Sequence, residues 1–285
     1  MPLNLFFVIL WVIKRILYNI QIKECIIMKN VALITGADGG IGSELCKIHA
    51  SLGGDMVIVA RNSDKLDALK KKLEKIYDVS VYVIISDLTF PDATKKVYQE
   101  IKNKGIQVDY LFNNAGFGAV GNYWELNEEQ NIGMVKLNVL ALSELTQWFL
   151  PDMVKRGHGR ILNTSSIASL VPGPLMTVYF ASKAYVRYFG NALSEELRGT
   201  GVTVTTLMPG PTASGFGPRS GMDKTILFKR VATPSEVATK AYKAMLKGKL
   251  NVIAGVSGVL RFLFLWEPII PQKLLLKIVK RLLKI

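Results

Sequence analysis

Seven short runs rich in Val, Ile and Leu punctuate the chain, each closed by glycine or polar residues: 31–35, 56–60, 79–85, 108–112, 160–164, 202–207 and 250–254. Most are apolar at successive positions rather than at alternate ones. That is the pattern of strands covered on both faces. Segments of helical period lie between them, at 43–52, 66–76, from Pro91, at 127–153, at 178–197 and from Thr233-Pro234. Strand and helix alternating in this order predict an α/β fold, a single doubly wound parallel sheet between two helical layers. Ligands of such sheets collect at the carboxyl ends of the strands, so the residues just past each run are the candidate site.

The first run ends in Gly36-Ala-Asp38-Gly39-Gly40-Ile41-Gly42 and opens onto a helix. Glycines in a strand–turn–helix context let backbone approach a pyrophosphate, which then meets the helix N-terminus. This is the Rossmann-like arrangement for a dinucleotide. At the end of the second run stands Ala60-Arg61. An acid there would bind a ribose 2′-hydroxyl, whereas an arginine accepts a 2′-phosphate, so NADP(H) is favoured over NAD(H). Asp87, closing the third run, either caps the helix from Pro91 or bonds an adenine edge. The fourth run leads into Asn113-Asn114-Ala115-Gly116, and Asn138 interrupts an otherwise apolar helical period. Asn138 either bonds nearby backbone or holds a water beside the site.

Ser166 follows the fifth run, and Tyr179 and Lys183 come after it, four apart in a segment of good helix formers. That spacing sets both side chains on one helix face. A tyrosine hydroxyl titrates near ~10, and an ammonium one turn away is expected to lower that value toward neutrality, where acid/base catalysis works best. The Ser166 hydroxyl would polarise the same substrate oxygen. The three suit interconversion of a carbonyl and an alcohol. After Pro209-Gly210, the stretch through Thr212 to Met222 is glycine-rich and aperiodic, as in a mobile loop closing over substrate. Met176, Phe216, Met222 and Phe228 are the apolar candidates to face that substrate.

With 285 residues the chain holds one ordinary domain with appendages. Three parts are expected: a hydrophobic extension at 1–27, the α/β domain at 28–257 and a basic amphipathic tail at 258–285. The extension is either a short membrane-surface anchor or lies upstream of a start at Met28. It is too short for a span and lacks the features of a signal peptide. The tail either lies on an anionic membrane surface or packs on its own domain or a sister subunit. The formal charge of +14 does not indicate nucleic acid, because the excess sits at the termini and on the Lys-rich helix at 66–76, without aromatic interleaving. Two cysteines make no disulfide framework and fit a reducing compartment. Two histidines without neighbouring ligands predict no metal.

Thr35-Gly36-x-x-x-Gly40-Ile41-Gly42, Asp87, Asn113-Asn114-Ala115-Gly116, Asn138, Ser166, Tyr179-x-x-x-Lys183 and Pro209-Gly210 together resemble, in order and spacing, the motifs of the short-chain dehydrogenase/reductase family. The resemblance spans residues 30 to about 254. It implies that Tyr179 is the acid in reduction and the base in oxidation, and that Ser166 positions the substrate oxygen. Lys183 would bond the nicotinamide ribose and lower the Tyr179 pKa, and Asn138 would hold the water of a proton relay. Gly36, Gly40, Ile41 and Gly42 would line the pyrophosphate and nicotinamide side, Asp87 the adenine, Asn114, Ala115 and Gly116 the adenosine ribose region, and Thr212 the carboxamide. Asp38 and Gly39 stand where NADP-using relatives often carry hydroxyls, and an acid there softens the preference drawn from Arg61.

The expectation is an NADP-dependent oxidoreductase of a lipophilic ketone or aldehyde, cytoplasmic or peripheral at a membrane through its termini. A homo-oligomer, dimer or tetramer, is implied by the resemblance of helices 127–153 and 178–197 to the family's contact helices. The rival expectations are a cofactor-binding sensor or scaffold without chemistry, and a lipid-modifying reductase at a membrane surface.

Overall fold

The computed structural model describes residues 30–256 and 270–284. The hydrophobic extension, the Met28 alternative, Cys25 and the first part of the tail lie outside the described residues.

Seven strands form one parallel sheet: β1 (Ala32–Thr35), β2 (Met56–Ala60), β3 (Val81–Ile85), β4 (Tyr110–Asn113), β5 (Gly159–Thr164), β6 (Val202–Pro209) and β7 (Asn251–Ala254). Their order is β3-β2-β1-β4-β5-β6-β7, so the winding reverses between β1 and β4. Side chains alternate across the sheet, and both faces are dry. Ala32, Ile34, Met56 and Ile58 point into one core with Leu45, Leu66, Leu73, Val237 and Ala241. Leu33, Val57 and Val59 point into the other with Val97, Ile101, Leu145 and Phe149. This double burial is why the strands appear as continuous apolar runs in the sequence.

The helices are α1 (Gly40–Ser51), α2 (Ser63–Ile76), α3 (Ala93–Asn103), α4 (Glu128–Val135), α5 (Leu142–Arg156), α6 (Thr177–Glu196), the short α7 (Phe216–Ser220), α8 (Pro234–Leu246) and α9 (Gln272–Leu283). Local chemistry sets several starts. Asn62 caps α2 by accepting from the Lys65 amide, and Thr233 and Glu236 form a capping box around Pro234. α2 buries Leu66, Leu69 and Leu73 and leaves Lys71, Lys72 and Lys75 in water.

The structure departs from the sequence pattern in three elements. The helix expected at 127–153 is split by a π-helical turn, Lys136–Ala141, centred near Asn138. Asp87 does not cap the following helix; Asp92, in a left-handed conformation with φ 59, precedes α3. The stretch after Pro209, expected as an aperiodic mobile loop that closes over substrate, folds into α7 and two 3-10 turns, Met222–Lys224 and Ile226–Lys229. Hydroxyls tie it down: the Phe216 amide donates to Ser214 Oγ at 3.3 Å, and Thr225 Oγ1 donates to the Met222 carbonyl at 2.7 Å.

Residues from Val31 onward form one compact unit. α9 belongs to it. Leu275, Val279 and Leu283 are buried in a third apolar cluster with Met176, Tyr179, Phe180 and Met222. Of the two expectations for the tail, packing on its own domain is what this helix does. No described helix is long and apolar enough to cross a membrane.

Candidate active site

The glycine turn sits at the carboxyl end of β1, where the sheet reverses. Gly36 has φ 66 and Gly40 φ 44, a region that side chains disfavour. At Gly42 the constraint is space: a Cβ would stand 2.1 Å from the Gly36 carbonyl oxygen. Gly42 therefore lets α1 begin against the turn and does not face the cavity, unlike Gly36, Asp38, Gly40 and Ile41, which line it. Thr35 clamps β1 to the end of β4. Its Oγ1 donates to the Phe112 carbonyl at 3.1 Å and accepts from the Asn114 and Ala115 amides, each at 3.0 Å. Asn114 Nδ2 donates back to the Thr35 carbonyl at 3.0 Å. Asn114, Ala115 and Gly116 are thereby held beside the glycine turn, at the cavity wall.

Arg61 and Asp87, at the ends of β2 and β3, also line the cavity, and they meet each other: Arg61 Nη1 lies 3.4 Å from Asp87 Oδ2. Arg61 is otherwise open, with 69 % of its side chain exposed. Asp87 Oδ1 accepts from the Thr89 amide at 2.9 Å and hydroxyl at 2.7 Å. Burial works to raise its pKa, but the Thr89 bonds and Arg61 together outweigh that and hold the carboxyl below the usual range.

α6 carries Tyr179 and Lys183 on one face, both buried. Lys183 Nζ donates to the Thr164 carbonyl at 2.8 Å and stands 5.8 Å from the Tyr179 ring centre. Here the structure corrects the expected electrostatics. Desolvation pushes the Tyr179 hydroxyl up to about 12, only partly opposed by a hydrogen bond from Ser166. The same desolvation pulls Lys183 from 10.5 down to about 8. Burial, and not the neighbouring ammonium, decides the Tyr179 value in the protein alone.

Ser166 is set by the 3-10 turn that follows β5, its Oγ accepting from the Ala168 amide at 3.1 Å. Asn138, within the π-turn, bonds backbone: Nδ2 donates to the Phe117 carbonyl at 2.9 Å and to Ser182 Oγ at 3.0 Å, and Oδ1 accepts from the Phe117 amide at 3.1 Å. Asn138 bonds backbone, as one of its two expected roles has it, although that backbone belongs to a distant loop. The π-turn places this side chain so that it pins that loop beside Lys183, since a Cβ on Gly116 would come 3.0 Å from Asn138 Oδ1 and 3.2 Å from Lys183 Nζ.

The remaining walls are apolar. Phe216 tilts over Tyr179 with ring centres 5.2 Å apart. Phe180, Met222 and Phe228 continue the surface, and Ile278, Val279 and Leu282 of α9 complete it. Pro209, Gly210 and Thr212 join the wall near Ser166, and Thr212 Oγ1 is engaged by donating to the Gly210 carbonyl at 2.9 Å. Met176, expected to face substrate, is instead packed in the third apolar cluster. The cavity measures about 380 Å³ and runs without interruption from Arg61 to α9. It brings together every expected cofactor and catalytic residue except Gly42 and Asn138, which act from behind it. Sequence reasoning did not find Ser214 and Arg219, which also line it, or the lining face of α9. Ser214 sits so close to the glycine turn that a Cβ on Gly40 would come within 2.6 Å of it. No local signal marks such a contact across 174 residues of sequence.

A family profile described as short chain dehydrogenase matches residues 30–224. The very-long-chain 3-oxoacyl-CoA reductase of Homo sapiens is 33 % identical over 184 residues, 62 % of this chain and 58 % of that protein. The hydroxysteroid dehydrogenase-like protein 1 of Gallus gallus is 32 % identical over 182 residues, 62 % of this chain and 54 % of that one. The chain thus spans less than two thirds of the length of these relatives. Among solved structures, a short-chain dehydrogenase from Sphingobium yanoikuyae in complex with NADPH superimposes with a TM-score of 0.76 at 29 % identity, covering 84 % of this chain and 93 % of that one. A short-chain dehydrogenase/reductase from Burkholderia phymatum in complex with NAD shares the fold, with a TM-score of 0.71 at 24 % identity over 79 % of this chain and 88 % of that one. The matched residues are those that build the sheet edge and the cavity floor, and they make up well over half of the sequence: the chain belongs to the short-chain dehydrogenase family.

Proposed function

We propose that this protein uses NADPH to reduce a carbonyl on a lipophilic molecule to a secondary alcohol. The observation that carries this reading is the single cavity itself. A glycine turn and a cation lie at one end, apolar side chains at the other, and the Ser166 and Tyr179 hydroxyls stand where the two meet.

The residues present fit a nicotinamide dinucleotide. The turn from Gly36 to Gly40 offers backbone without side chains in front of the α1 N-terminus, as a pyrophosphate requires. Arg61 is exposed and held only by a long ion pair, so it is available to a 2′-phosphate. The cofactor supplies the hydride. The protein's own part is to hold the substrate oxygen between Ser166 and Tyr179, to exclude water with Phe216 and α9, and to deliver a proton. A tyrosine pushed up to about 12 is fully protonated at neutral pH. It can therefore give its proton to the developing alkoxide in reduction, and the same group would take that proton back in oxidation, so its protonation does not choose between the two directions.

The apolar end sets the substrate class. The relatives named as very-long-chain 3-oxoacyl-CoA reductases act on a carbonyl carried by a long acyl chain, and a 3-oxoacyl thioester is the first substrate to try. The test pairs cofactor titration by tryptophan fluorescence with a carbonyl screen. NADPH is expected to bind more tightly than NADH, with Arg61→Ala removing the difference. Tyr179→Phe is expected to keep cofactor binding and lower turnover by at least about 100-fold. Equal affinities for the two cofactors in the wild type would remove NADP from the reading. Undiminished turnover by Tyr179→Phe would remove Tyr179 from it.

A further inference from the structure

α9 presents three faces. Leu275, Val279 and Leu283 are buried in the third apolar cluster, and Leu275 and Val279 also line the cavity. Lys273, Lys277, Lys280, Arg281 and Lys284 are all exposed, and the helix contains no acidic residue. Among the described residues none of these cations has a carboxylate within ion-pair distance. Between these faces lie Leu274 and Ile278, one turn apart, 50 % and 42 % exposed. Ile278 also borders the cavity. The turn Ile226–Lys229 packs beside α9 and adds another exposed apolar side chain, Ile226 at 54 %.

A helix whose only task was to roof the cavity would need the buried row alone. The second apolar row, held in water at the rim of an apolar cavity and flanked by cations that have no carboxylate partner among the described residues, matches an interface that is apolar at depth and anionic at its surface. We propose that α9 seats the rim of the cavity on a bilayer containing anionic lipid. Leu274, Ile278 and Ile226 enter the headgroup–acyl boundary, and the cations of α9 meet the lipid phosphates and carboxylates. A lipophilic molecule then passes between bilayer and cavity along Ile278 without crossing water. Binding to the surface is a property of the helix and does not depend on the reaction proposed above, so the two can fail separately.

The test is flotation of the full-length protein with vesicles of phosphatidylcholine alone and of phosphatidylcholine mixed with phosphatidylserine. The wild type is expected to bind the mixed vesicles at least about tenfold more tightly, with the difference lost at high salt. A charge variant, Lys277→Gln with Lys280→Gln, Arg281→Gln and Lys284→Gln, is expected to lose that preference. A rim variant, Leu274→Ser with Ile278→Ser, is expected to weaken binding to both vesicle types. All six positions are exposed and leave the buried row intact, and unchanged thermal melts establish that both variants fold. A control on α2, Lys71→Gln with Lys72→Gln and Lys75→Gln, should bind like the wild type. The N-terminal apolar residues are common to every variant, so the differences report α9. The proposal is overturned by a wild type without anionic preference, by a charge variant that keeps it, or by a rim variant that binds normally. If the rim variant instead dissociates an oligomer while binding vesicles as before, the face is a contact with a second copy and the lipid assignment is wrong.

Discussion

At the scale of single residues, the buried Tyr179–Lys183 pair shows desolvation competing with charge. Lys183 is an ammonium with 4 % of its surface exposed and one backbone carbonyl for a partner. Burial lowers its pKa from 10.5 to about 8, so between these values the folded chain binds fewer protons than the unfolded chain. Stability then rises with pH across that window, because the unfavourable buried charge is lost from the native state first. Below about 8 the penalty is present in full and amounts to about 3 kcal/mol. Tyr179 acts in the opposite sense and at higher pH: its raised value contributes stability that is complete below 10 and lost as pH passes toward about 12. Chemical denaturation of the wild type is therefore expected to show a gain of about 2 kcal/mol between pH 7.5 and 10 relative to Lys183→Met, whose side chain cannot titrate. Parallel pH profiles for the two proteins would show that Lys183 is not desolvated. The acid/base function proposed for this pair would thus rest on a costly arrangement, as perturbed groups at functional sites often do.

At the scale of elements, the height of α6 above the sheet decides where Tyr179 stands, and Gly190 sets that height. A Cβ on Gly190 would lie 2.4 Å from Thr206 Oγ1 on β6, and Thr206 is fully buried and β-branched. Gly190→Ala gains about 1 kcal/mol of helix propensity but must move the helix or the strand. The expected result is net destabilisation of about 1–3 kcal/mol, read as a lower melting temperature and restored in part by adding Thr206→Ala. An increase in stability would mean that the helix has room to spare. This contact across 16 residues was not legible in the sequence, whereas β2 was: all five of its positions are buried and apolar, so it appeared with its exact bounds. The chemistry at the strand ends was legible for the same reason, since Gly36, Arg61, Asp87, Asn114 and Ser166 each follow an unmistakable run. The π-turn around Asn138 and the helical turns after Pro209 were hidden, because short elements carry too few residues for a period. α9 was legible as amphipathic yet not as a cavity wall. The same apolar row serves a bilayer or a protein core, and its partners Tyr179 and Phe180 lie nearly a hundred positions away.

At the scale of the molecule, the cavity joins parts that the sequence presents as separate. Arg61 belongs to the first half of the sheet, Ser166 and Tyr179 to the second, and Val279 to the basic tail, yet all border one space. The compact unit from Val31 onward includes α9, whose buried residues share a cluster with Tyr179. A ligand filling that space must then stabilise the sheet and the tail helix together, because it loses its binding surface if either one opens. With NADPH at about a hundred times its dissociation constant, linkage stabilises the native state by about 2.7 kcal/mol. For a unit of this size that corresponds to a rise in melting temperature of roughly 5–10 °C. The expected melt is a single transition that shifts as a whole, and hydrogen exchange in α9 should slow along with exchange in β1 and α1. A separate low-temperature transition that cofactor leaves in place, with exchange in α9 unchanged, would show the tail helix opening independently of the sheet. In that case the apolar wall would be a mobile cover over the site, and the substrate class drawn from its side chains would lose its footing.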